Sequence, residues 1–190
     1  MKLIDDFLPK YDFAEVHEIQ VQAPIEVTYQ KALDLDLSRS RIIRGLFMLR
    51  EMPAFFSSRN RDREKLGLTF VGLEKFGFIL LGKNPSEEII LGLVGRFWTP
   101  SGDIRRLDID GFRKFTEPGF AKTVWNFYFS ERENQTVLTT ETRIACLDDQ
   151  SRRNFRAYWT FIKPFSGLTR KEILKVIKSE SERYVVLSTE

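Results

Sequence analysis

The sequence predicts an α+β domain built from a curved antiparallel sheet and a long C-terminal helix. Three patterns predict it: a strand followed by helices at the start, an apolar period of two from Leu68 to Leu147, and a helical period thereafter. Consecutive strands with short connections pair antiparallel. An apolar stripe on the last helix has to be buried against a sheet face. We therefore expect about six to seven strands wrapped around a long helix that is interrupted by proline, with two short helices after the first strand.

The first part of the chain contains one predicted strand and the two predicted helices. In "AEVHEIQVQAP", alternation places His17, Ile19 and Val21 on one face of a strand. Pro24 then opens a short helix, because proline fits the first helical turn. The segment "SRSRIIRGLFMLREM" has an apolar stripe at helical spacing and is predicted to end before Pro53.

The middle of the chain reads as an antiparallel meander. The segments "LTFVGLEKFGFILLG", "EEIILGLVGRFW", "DGFRKFTE", "AKTVWNFYFSE" and "TVLTTETRIACL" are separated by "KNPS", "TPSGD", "EPG" and "REN". These separators are rich in the residues that form turns. We expect each segment to be a strand paired with its neighbours.

The last segment reads as a helix with one aromatic face. Apolar residues recur at i, i+3, i+4 and i+7, namely Phe155, Tyr158, Trp159 and Ile162. Asp148 and Asp149 are candidate caps at its start. We expect Pro164 and Gly167 to interrupt the helix, and Thr169–Glu172 to form a capping box for a second one.

Composition limits the classes of function. The 190 residues suit a single domain, 1–190, with residues 1–12 as an N-terminal extension. The 42% hydrophobic and 30% charged residues are typical of a folded protein, and the 17 Phe indicate aromatic walls as well as an aromatic core. A net charge of +3 is too small to indicate nucleic-acid binding. The oligomeric state is left open.

Metal and cofactor chemistry is not indicated. One Cys and one His exclude a disulfide and make a zinc site improbable. The P-loop spacing of "GFILLGKN" has strand residues where the loop should be, so we expect no nucleotide and no cofactor. Asp5 and Asp6 interrupt any signal-peptide core, and no apolar run is long enough for a membrane span. We expect a cytoplasmic protein with no stable membrane insertion.

Two segments carry a resemblance to a known family. "EIQVQAPIEVTYQKAL" is similar to the opening strand, Ala-Pro and helix of the START-like superfamily, also called SRPBCC. "TTETRIACLDDQSRRNFRAYWTFIKPFSGLTRKEILKVIKSESE" resembles its last strand and gripping helix. The resemblance implies the helix-grip fold, with a deep cavity between sheet and helix that holds lipids, sterols, polyketides or other apolar molecules. Binding proteins and enzymes share such folds, so the fold alone does not decide between them.

His17 has two interpretations. On the inward face of the first strand it could contact a ligand or act as a general base, because imidazole exchanges a proton near neutral pH. It could instead be a histidine at the core edge that is bound to a backbone carbonyl or a carboxylate. We favour the second interpretation, because buried polar groups usually have such partners.

Glu141 and Arg143 lie two residues apart on one face of the last strand. The opposite face, which carries Thr142 and Ile144, is the more apolar and is the candidate inner wall. Glu141 and Arg143 would then be exposed to solvent, which we favour because an unpaired buried charge is costly. The alternative places them in the cavity with Arg96, where they could recognise a carboxylate.

The predicted function is binding of a small apolar or amphipathic molecule, lipid-like or aromatic, in the cavity between sheet and helix. Phe97 or Trp98 should line the cavity, although packing of both in the core is an alternative. The candidate ligand-binding residues are His17, Arg96, Phe97, Trp98, Trp125, Phe127, Glu141, Arg143, Tyr158, Trp159 and Ile162. Two other functions stay open: a cyclase- or hydrolase-type enzyme with His17 as base, and a packed protein-interaction module.

Overall fold

The computed structural model describes residues 2–35, 73–74 and 77–188. The strands are β1 (Phe13–Val21), β2 (Ile79–Asn84), β3 (Glu88–Gly95), β4 (Ala121–Arg132) and β5 (Gln135–Cys146). The helices are α1 (Leu3–Phe7), α2 (Ile25–Leu33), α3 (Ile109–Lys114) and α4 (Asp149–Ser188). The predicted helix "SRSRIIRGLFMLREM" lies outside the described residues.

The strands form one antiparallel sheet in the order β1-β5-β4-β3-β2. Turns join β2 to β3 and β4 to β5, as their alternating patterns and polar separators predict. The first strand pairs with the last, so that Phe13 lies opposite Ile144 and Val21 opposite Thr136. A sheet of this order, with a long C-terminal helix across it, fits the helix-grip arrangement.

The inner face of the sheet is covered by α2 and α4. Its core is aromatic and aliphatic, and it includes Trp125, Phe127, Phe129, Ile173 and Ile177. The long helix packs mainly against β1, β5 and α2. It therefore covers the β1 side of the sheet more closely than the β3 side.

The outer face of the sheet is also covered. A second apolar cluster joins Ile4 and Leu8 of the N-terminal segment to Ile90 and Val94 of β3, and to Phe112 of α3. Phe112 approaches Gly92 so closely that a Cβ there would lie 3.0 Å from its ring. All eight residues of β3 are consequently buried.

The predicted strand count is wrong for the part of the chain that the structure describes, where the sheet has five strands and not six to seven. "DGFRKFTE" contributes to a helix, α3, and not to a strand. The side chain of Asp108 accepts a hydrogen bond from the backbone N–H of Gly111 at 2.7 Å and caps this helix. In the first predicted meander strand, Leu73 and Glu74 are helical and β2 begins only at Ile79.

The prediction that the C-terminal helix is interrupted is also wrong. The helix α4 is continuous for 40 residues and contains Pro164 in its interior. Thr169 does not cap a new helix, because its hydroxyl donates to the carbonyl oxygen of Phe165, one turn earlier, at 2.9 Å. Buried residues on both sides of the proline anchor the two halves of the helix: Phe155 packs in a cluster with Ile144 of β5, and Ile173 packs in the inner core. The described helices include none with the length and apolar composition that crossing a membrane requires.

Candidate functional site

A pocket of about 180 Å³ lies between α4 and the inner face of the sheet. It forms over β3, β4 and β5, because α4 packs most closely on the β1 side. From the sheet side it is lined by Leu93, Phe97, Thr123, Trp125, Thr142 and Ile144. From α4 it is lined by Phe155, Tyr158, Trp159, Ile162, Ser166, Thr169, Arg170 and Ile173, and Leu73 and Phe78 complete the described wall.

Strand register explains why the sheet side of the pocket has a mixed character. Leu93, Thr123 and Ile144 lie side by side across β3, β4 and β5 and form one row of the wall. Trp125 and Thr142 form the next row. The wall is thus mainly apolar, with a hydroxyl in each row.

The pocket is elongated along α4. The rise of 1.5 Å per residue in an α-helix separates Trp159 from Arg170 by about 16 Å along the helix axis. Phe155, Tyr158 and Trp159 form an aromatic cluster at one end, where the Phe155 and Trp159 rings stack at a centroid distance of 5.6 Å. The other end contains Arg170. The pocket therefore has an aromatic end and a polar end.

Arg170 is the one charged side chain among the described residues that line the pocket. Its Nε donates to Oγ1 of Thr142 at 2.9 Å, and its Nη1 donates to the carbonyl oxygen of Ser166 at 3.2 Å and to the hydroxyl of the same serine. Its guanidinium lies over the Trp125 ring, 5.6 Å from the centroid. These contacts hold the charge at the pocket wall.

A carboxylate and an imidazole lie beside Arg170 beneath α4. Oε1 of Glu15 is 2.9 Å from Nε2 of His17, and Oε2 of Glu15 is 4.0 Å from Nη1 of Arg170. Both β1 side chains face Gly167, which has room for them because it has no side chain. Neither Glu15 nor His17 is among the residues that line the pocket. His17 thus matches the second interpretation of its role, a partly buried histidine bound to a carboxylate.

The candidate ligand-binding residues divide into two groups. The residues in the pocket wall are Phe97, Trp125, Tyr158, Trp159 and Ile162. Trp98 lies next to the wall and packs edge-on against Phe155, with the ring centroids 6.4 Å apart. Phe127 is fully buried behind the wall, 4.9 Å from the Trp125 ring.

Arg96 lies away from the pocket. Strand β3 ends at Gly95, and the chain turns immediately afterwards, so strand alternation does not extend to Arg96. The guanidinium lies 4.4 Å from the Phe120 ring centroid and its Nε is 3.5 Å from a carboxylate oxygen of Asp103. Phe120 belongs to the outer core.

The expectation that Glu141 and Arg143 are exposed is wrong. Both are buried on the outer face of the sheet, opposite the pocket. Nε of Arg143 donates to Oε1 of Glu141 at 2.6 Å, and Nη1 donates to Asp5 at 2.8 Å and to the Leu8 carbonyl at 3.3 Å. Burial alone would lower the pKa of Arg143, but these hydrogen bonds and the charges of Glu141 and Asp5 outweigh it and raise the pKa.

The N-terminal segment covers the outer face of the sheet, which the sequence did not predict. The fully buried carboxylate of Glu88 accepts hydrogen bonds from the backbone N–H of Leu3 at 2.6 Å and from the side-chain amide of Asn126, also at 2.6 Å. Asn126 in turn accepts from the backbone N–H of Glu141 at 2.9 Å. A continuous polar network thus connects α1 with three strands and leaves Glu141 and Arg143 no part in the pocket.

The sequence reasoning also missed Arg170 and the pocket hydroxyls. The signal for Arg170 was its position: it follows Ser166 by four residues and precedes Ile173 by three, so it continues the inward stripe of α4. Thr142 was recognised only as part of the more apolar face of the last strand. An arginine on such a stripe is easily read as solvated when its partner, here Thr142, is distant in sequence.

Comparisons with known proteins give weak likenesses. No model of a protein family matches the chain. No curated protein matches it either. Among solved structures, it is similar to CalU16 from Micromonospora echinospora, with 12% identity and a TM-score of 0.31 over 93% of this chain and 88% of that one. It is also similar to TTHA0849 from Thermus thermophilus, with 9% identity and a TM-score of 0.30 over 94% of this chain and all of that one.

Proposed function

We propose that this protein binds a small apolar or amphipathic molecule in the pocket between α4 and the sheet, and that it is a START-like helix-grip protein. The observation that carries the proposal is the pocket of about 180 Å³ with a mainly aromatic and aliphatic wall. Binding sites for small molecules are typically concave and apolar, with a few polar groups that orient the ligand. Thr142, Ser166 and Arg170 are such groups here.

The size of the pocket limits the ligand. An engineered apolar cavity of about 150 Å³ holds a benzene molecule. The pocket therefore suits a single ring with a short chain, or a slender alkyl chain that extends along α4. Stacking and edge contacts with Trp125, Phe97 and Trp159 would favour an aromatic or unsaturated ligand.

The residues that the structure describes give no support to the enzyme alternative. A general base has to come within hydrogen-bond reach of the substrate, and His17 lies under Gly167 instead of in the pocket wall. Cys146 is unsuited to nucleophilic attack, because burial and, to a smaller extent, the charge of Asp12 raise the pKa of its thiol to about 12. The interaction-module alternative required a packed interior and is less consistent with a pocket of this size.

The proposal is tested by native mass spectrometry and by blocking the pocket. The purified protein is sprayed under native conditions, and any mass that dissociates is identified after organic extraction. Neutral ring compounds such as 3-phenylpropanamide are then titrated by calorimetry into the unaltered protein and into Ile162→Trp, which fills the pocket. The matched control is Phe161→Trp, at the neighbouring position of α4, where the side chain is 75% exposed.

We expect saturable binding to the unaltered protein and to Phe161→Trp. For Ile162→Trp we expect affinity to fall at least about tenfold, because the added indole occupies space that a ring of the ligand would fill. A tenfold loss corresponds to about 1.4 kcal/mol of binding free energy, which is less than the burial of one ring contributes. Binding that survives Ile162→Trp would place the ligand elsewhere. Failure of both the mass spectra and the titrations to show any ligand would contradict the proposed function.

A further inference from the structure

We infer that the outward face of α4 docks onto a lipid bilayer whose head groups are negatively charged. This face is called the exposed stripe and consists of Phe161, Pro164, Phe165 and Leu168. None of these four residues belongs to the described wall of the pocket, so the exposed stripe is a separate surface. Three features of α4 support the docking: its apolar surface, the cations around that surface, and the lack of acids in this part of the helix.

The first feature is an apolar surface on the side of α4 that faces away from the sheet. The four residues recur at i, i+3, i+4 and i+7, so they share one side of the helix over about 10 Å of its length. Phe161 is 75% exposed, Phe165 is 45% exposed and Leu168 is 44% exposed, and Pro164 is exposed between them. Single exposed apolar residues are common, but a contiguous group with two phenylalanines indicates an interaction site.

The second feature is a set of exposed cations on the same helix, Arg153, Arg156, Lys163 and Lys171. Within the part of the chain that the structure describes, no acidic side chain forms an ion pair with any of them. Arg153 donates to the amide oxygen of Gln150 at 2.8 Å, which is a neutral partner. These four positive charges are therefore available to an external anion.

The position of two of these cations relates them to the exposed stripe. Arg153 and Lys171 are 18 residues apart, which is five full helical turns, so they lie on one line along α4. Pro164 precedes Lys171 by seven residues, so this line runs along the border of the exposed stripe. Long cationic side chains at such a border can reach head groups while the apolar residues beside them enter the bilayer.

The third feature is the lack of acids in this part of the helix. From Gln150 to Lys171 the sequence contains no aspartate and no glutamate. The next acid along the helix, Glu172, pairs with Lys175 at 2.7 Å. A surface of this composition is attracted to an anionic bilayer, and each lysine or arginine close to the bilayer strengthens the association by about fivefold.

The charge pattern also distinguishes between possible partners. In a dimer formed through the exposed stripe, the cations of the two copies would meet with no acids to pair with them, and like charges repel. A nucleic acid would contact the cations but would leave Pro164 and Leu168 in water. A bilayer matches both properties, because its acyl region buries apolar side chains and its head groups contact cations. Docking of this kind lies at the surface and requires no helix that crosses the bilayer.

The test is co-sedimentation of the full chain with lipid vesicles. Vesicles of phosphatidylcholine alone are compared with mixed vesicles of phosphatidylcholine and phosphatidylserine in a ratio of about two to one, at low and at high ionic strength. An apolar variant combines Phe161→Gln with Phe165→Gln. A charge variant combines Arg153→Gln with Lys171→Gln. Circular dichroism and thermal unfolding establish that each is folded, and the charge variant tests the docking by itself if the apolar variant does not fold.

Each variant has a matched control on another part of the surface. For the apolar variant the control combines Val16→Gln with Leu187→Gln, because Val16 is 55% and Leu187 66% exposed. For the charge variant the control combines Lys83→Gln with Lys114→Gln, which changes the net charge equally. Lys83 lies on the edge strand β2, and Lys114 belongs to α3 on the outer side of the sheet.

We expect the unaltered protein to bind the mixed vesicles at least about tenfold more strongly than phosphatidylcholine vesicles, as two cations near the surface allow. High salt should remove most of this difference, because it screens the charges. The apolar variant should bind the mixed vesicles at least about tenfold more weakly, since two rings no longer enter the bilayer. The charge variant should lose the preference for the mixed vesicles. Both controls should stay within about threefold of the unaltered protein.

Several outcomes would overturn the inference. They are a lack of co-sedimentation with the mixed vesicles, equal binding of both kinds of vesicle at low salt, and undiminished binding by the apolar variant. A dimer in analytical ultracentrifugation that the apolar variant abolishes would assign the exposed stripe to a second copy of the chain instead. Binding of a DNA oligonucleotide in preference to the mixed vesicles would assign it to nucleic acid. None of these results bears on the pocket, which the ring compounds test separately.

Discussion

Gly167 of α4 lies directly against Glu15 of β1, so closely that a Cβ on the glycine would stand 2.6 Å from Oε1 of the glutamate. The same Cβ would lie 3.3 Å from Nε2 of His17. The glycine therefore allows the long helix to approach the edge strand while two polar side chains remain between them. This contact fixes the height of α4 above β1.

Gly167→Ala should destabilise the protein, although alanine is the better helix former by about 1 kcal/mol. The added methyl group displaces the Glu15 carboxylate and disturbs its contact with His17, and we expect a net loss of about 1 to 2 kcal/mol of unfolding free energy. Urea unfolding measures the change. In the background of Glu15→Ala, which vacates the space, the same substitution should become neutral or stabilising. An equal loss in both backgrounds would contradict the contact.

Arg143→Met should lower the free energy of unfolding by about 3 kcal/mol, because it leaves the buried Glu141 carboxylate without its cation. Arg153→Met is the matched control, since Arg153 is exposed on α4, and it should have an effect of less than about 0.5 kcal/mol. Adding Glu141→Gln to Arg143→Met should recover part of the loss. Urea unfolding of the unaltered protein, Arg143→Met, Glu141→Gln and the double variant gives the coupling energy of the pair. Similar losses for Arg143→Met and Arg153→Met would refute the buried pair.

Pro164→Ala should stabilise the protein. Proline in a helix interior is about 3 kcal/mol less favourable than alanine, and Pro164 is exposed within a continuous helix. We expect a gain of about 1 to 3 kcal/mol, measured as a higher midpoint of thermal unfolding. Phe161→Ala, one turn earlier on the solvent side, should change the midpoint little. A lower midpoint for Pro164→Ala would show that the packing of α4 requires the proline.

Asp148 should make stability depend on acid pH. Its carboxylate accepts hydrogen bonds from the hydroxyl of Ser151 at 2.7 Å, from the backbone N–H of Ser151 at 2.8 Å, and from the N–H of Gly119. These bonds, led by the Ser151 hydroxyl, lower the pKa of Asp148 from 3.8 to about 2. Because the folded-state pKa is the lower one, the stabilisation is complete above about pH 4 and is lost as the pH falls towards 2.

Asp148→Asn isolates this effect, because asparagine still caps a helix but does not titrate. Urea midpoints of the two proteins, compared from neutral pH down to about pH 2, should differ most near neutrality and converge in acid. Asp148→Ala, which removes the cap, should cost about 1 kcal/mol at neutral pH. A difference between the aspartate and asparagine proteins that does not change with pH would show that the carboxylate has no lowered pKa.

Much of the inner layer could be predicted from the sequence, because its residues obey simple periods. Alternation in β4 and β5 and the stripe from Phe155 to Ile162 on α4 indicated which side chains meet. Arg170 was missed because the partners that hold it, Thr142 and Trp125, come from strands far away in the sequence. A local sequence pattern contains no information about such long-range contacts.

The outer layer could not be predicted for a different reason. Glu141 and Arg143 read as solvated charges, because nothing near them in sequence shows that Asp5 and Leu8 cover them. The short helix α3 was predicted as a strand because it is only six residues long, and so few turns do not distinguish a helical from an alternating pattern. Asp108 marks the start of this helix in the sequence, but an aspartate can begin a turn as readily as it can cap a helix.

Strand β3 lies between the aromatic inner core and the cover that α1 and α3 provide, and all eight of its residues are buried. A typical antiparallel strand has one wet face, on which substitutions accumulate without effect. Strand β3 has no such face. In a library of random variants selected for folding, substitutions from Glu88 to Gly95 should therefore be depleted. The residues of β3 would then change most slowly in evolution, although this strand contributes one side chain, Leu93, to the described pocket wall.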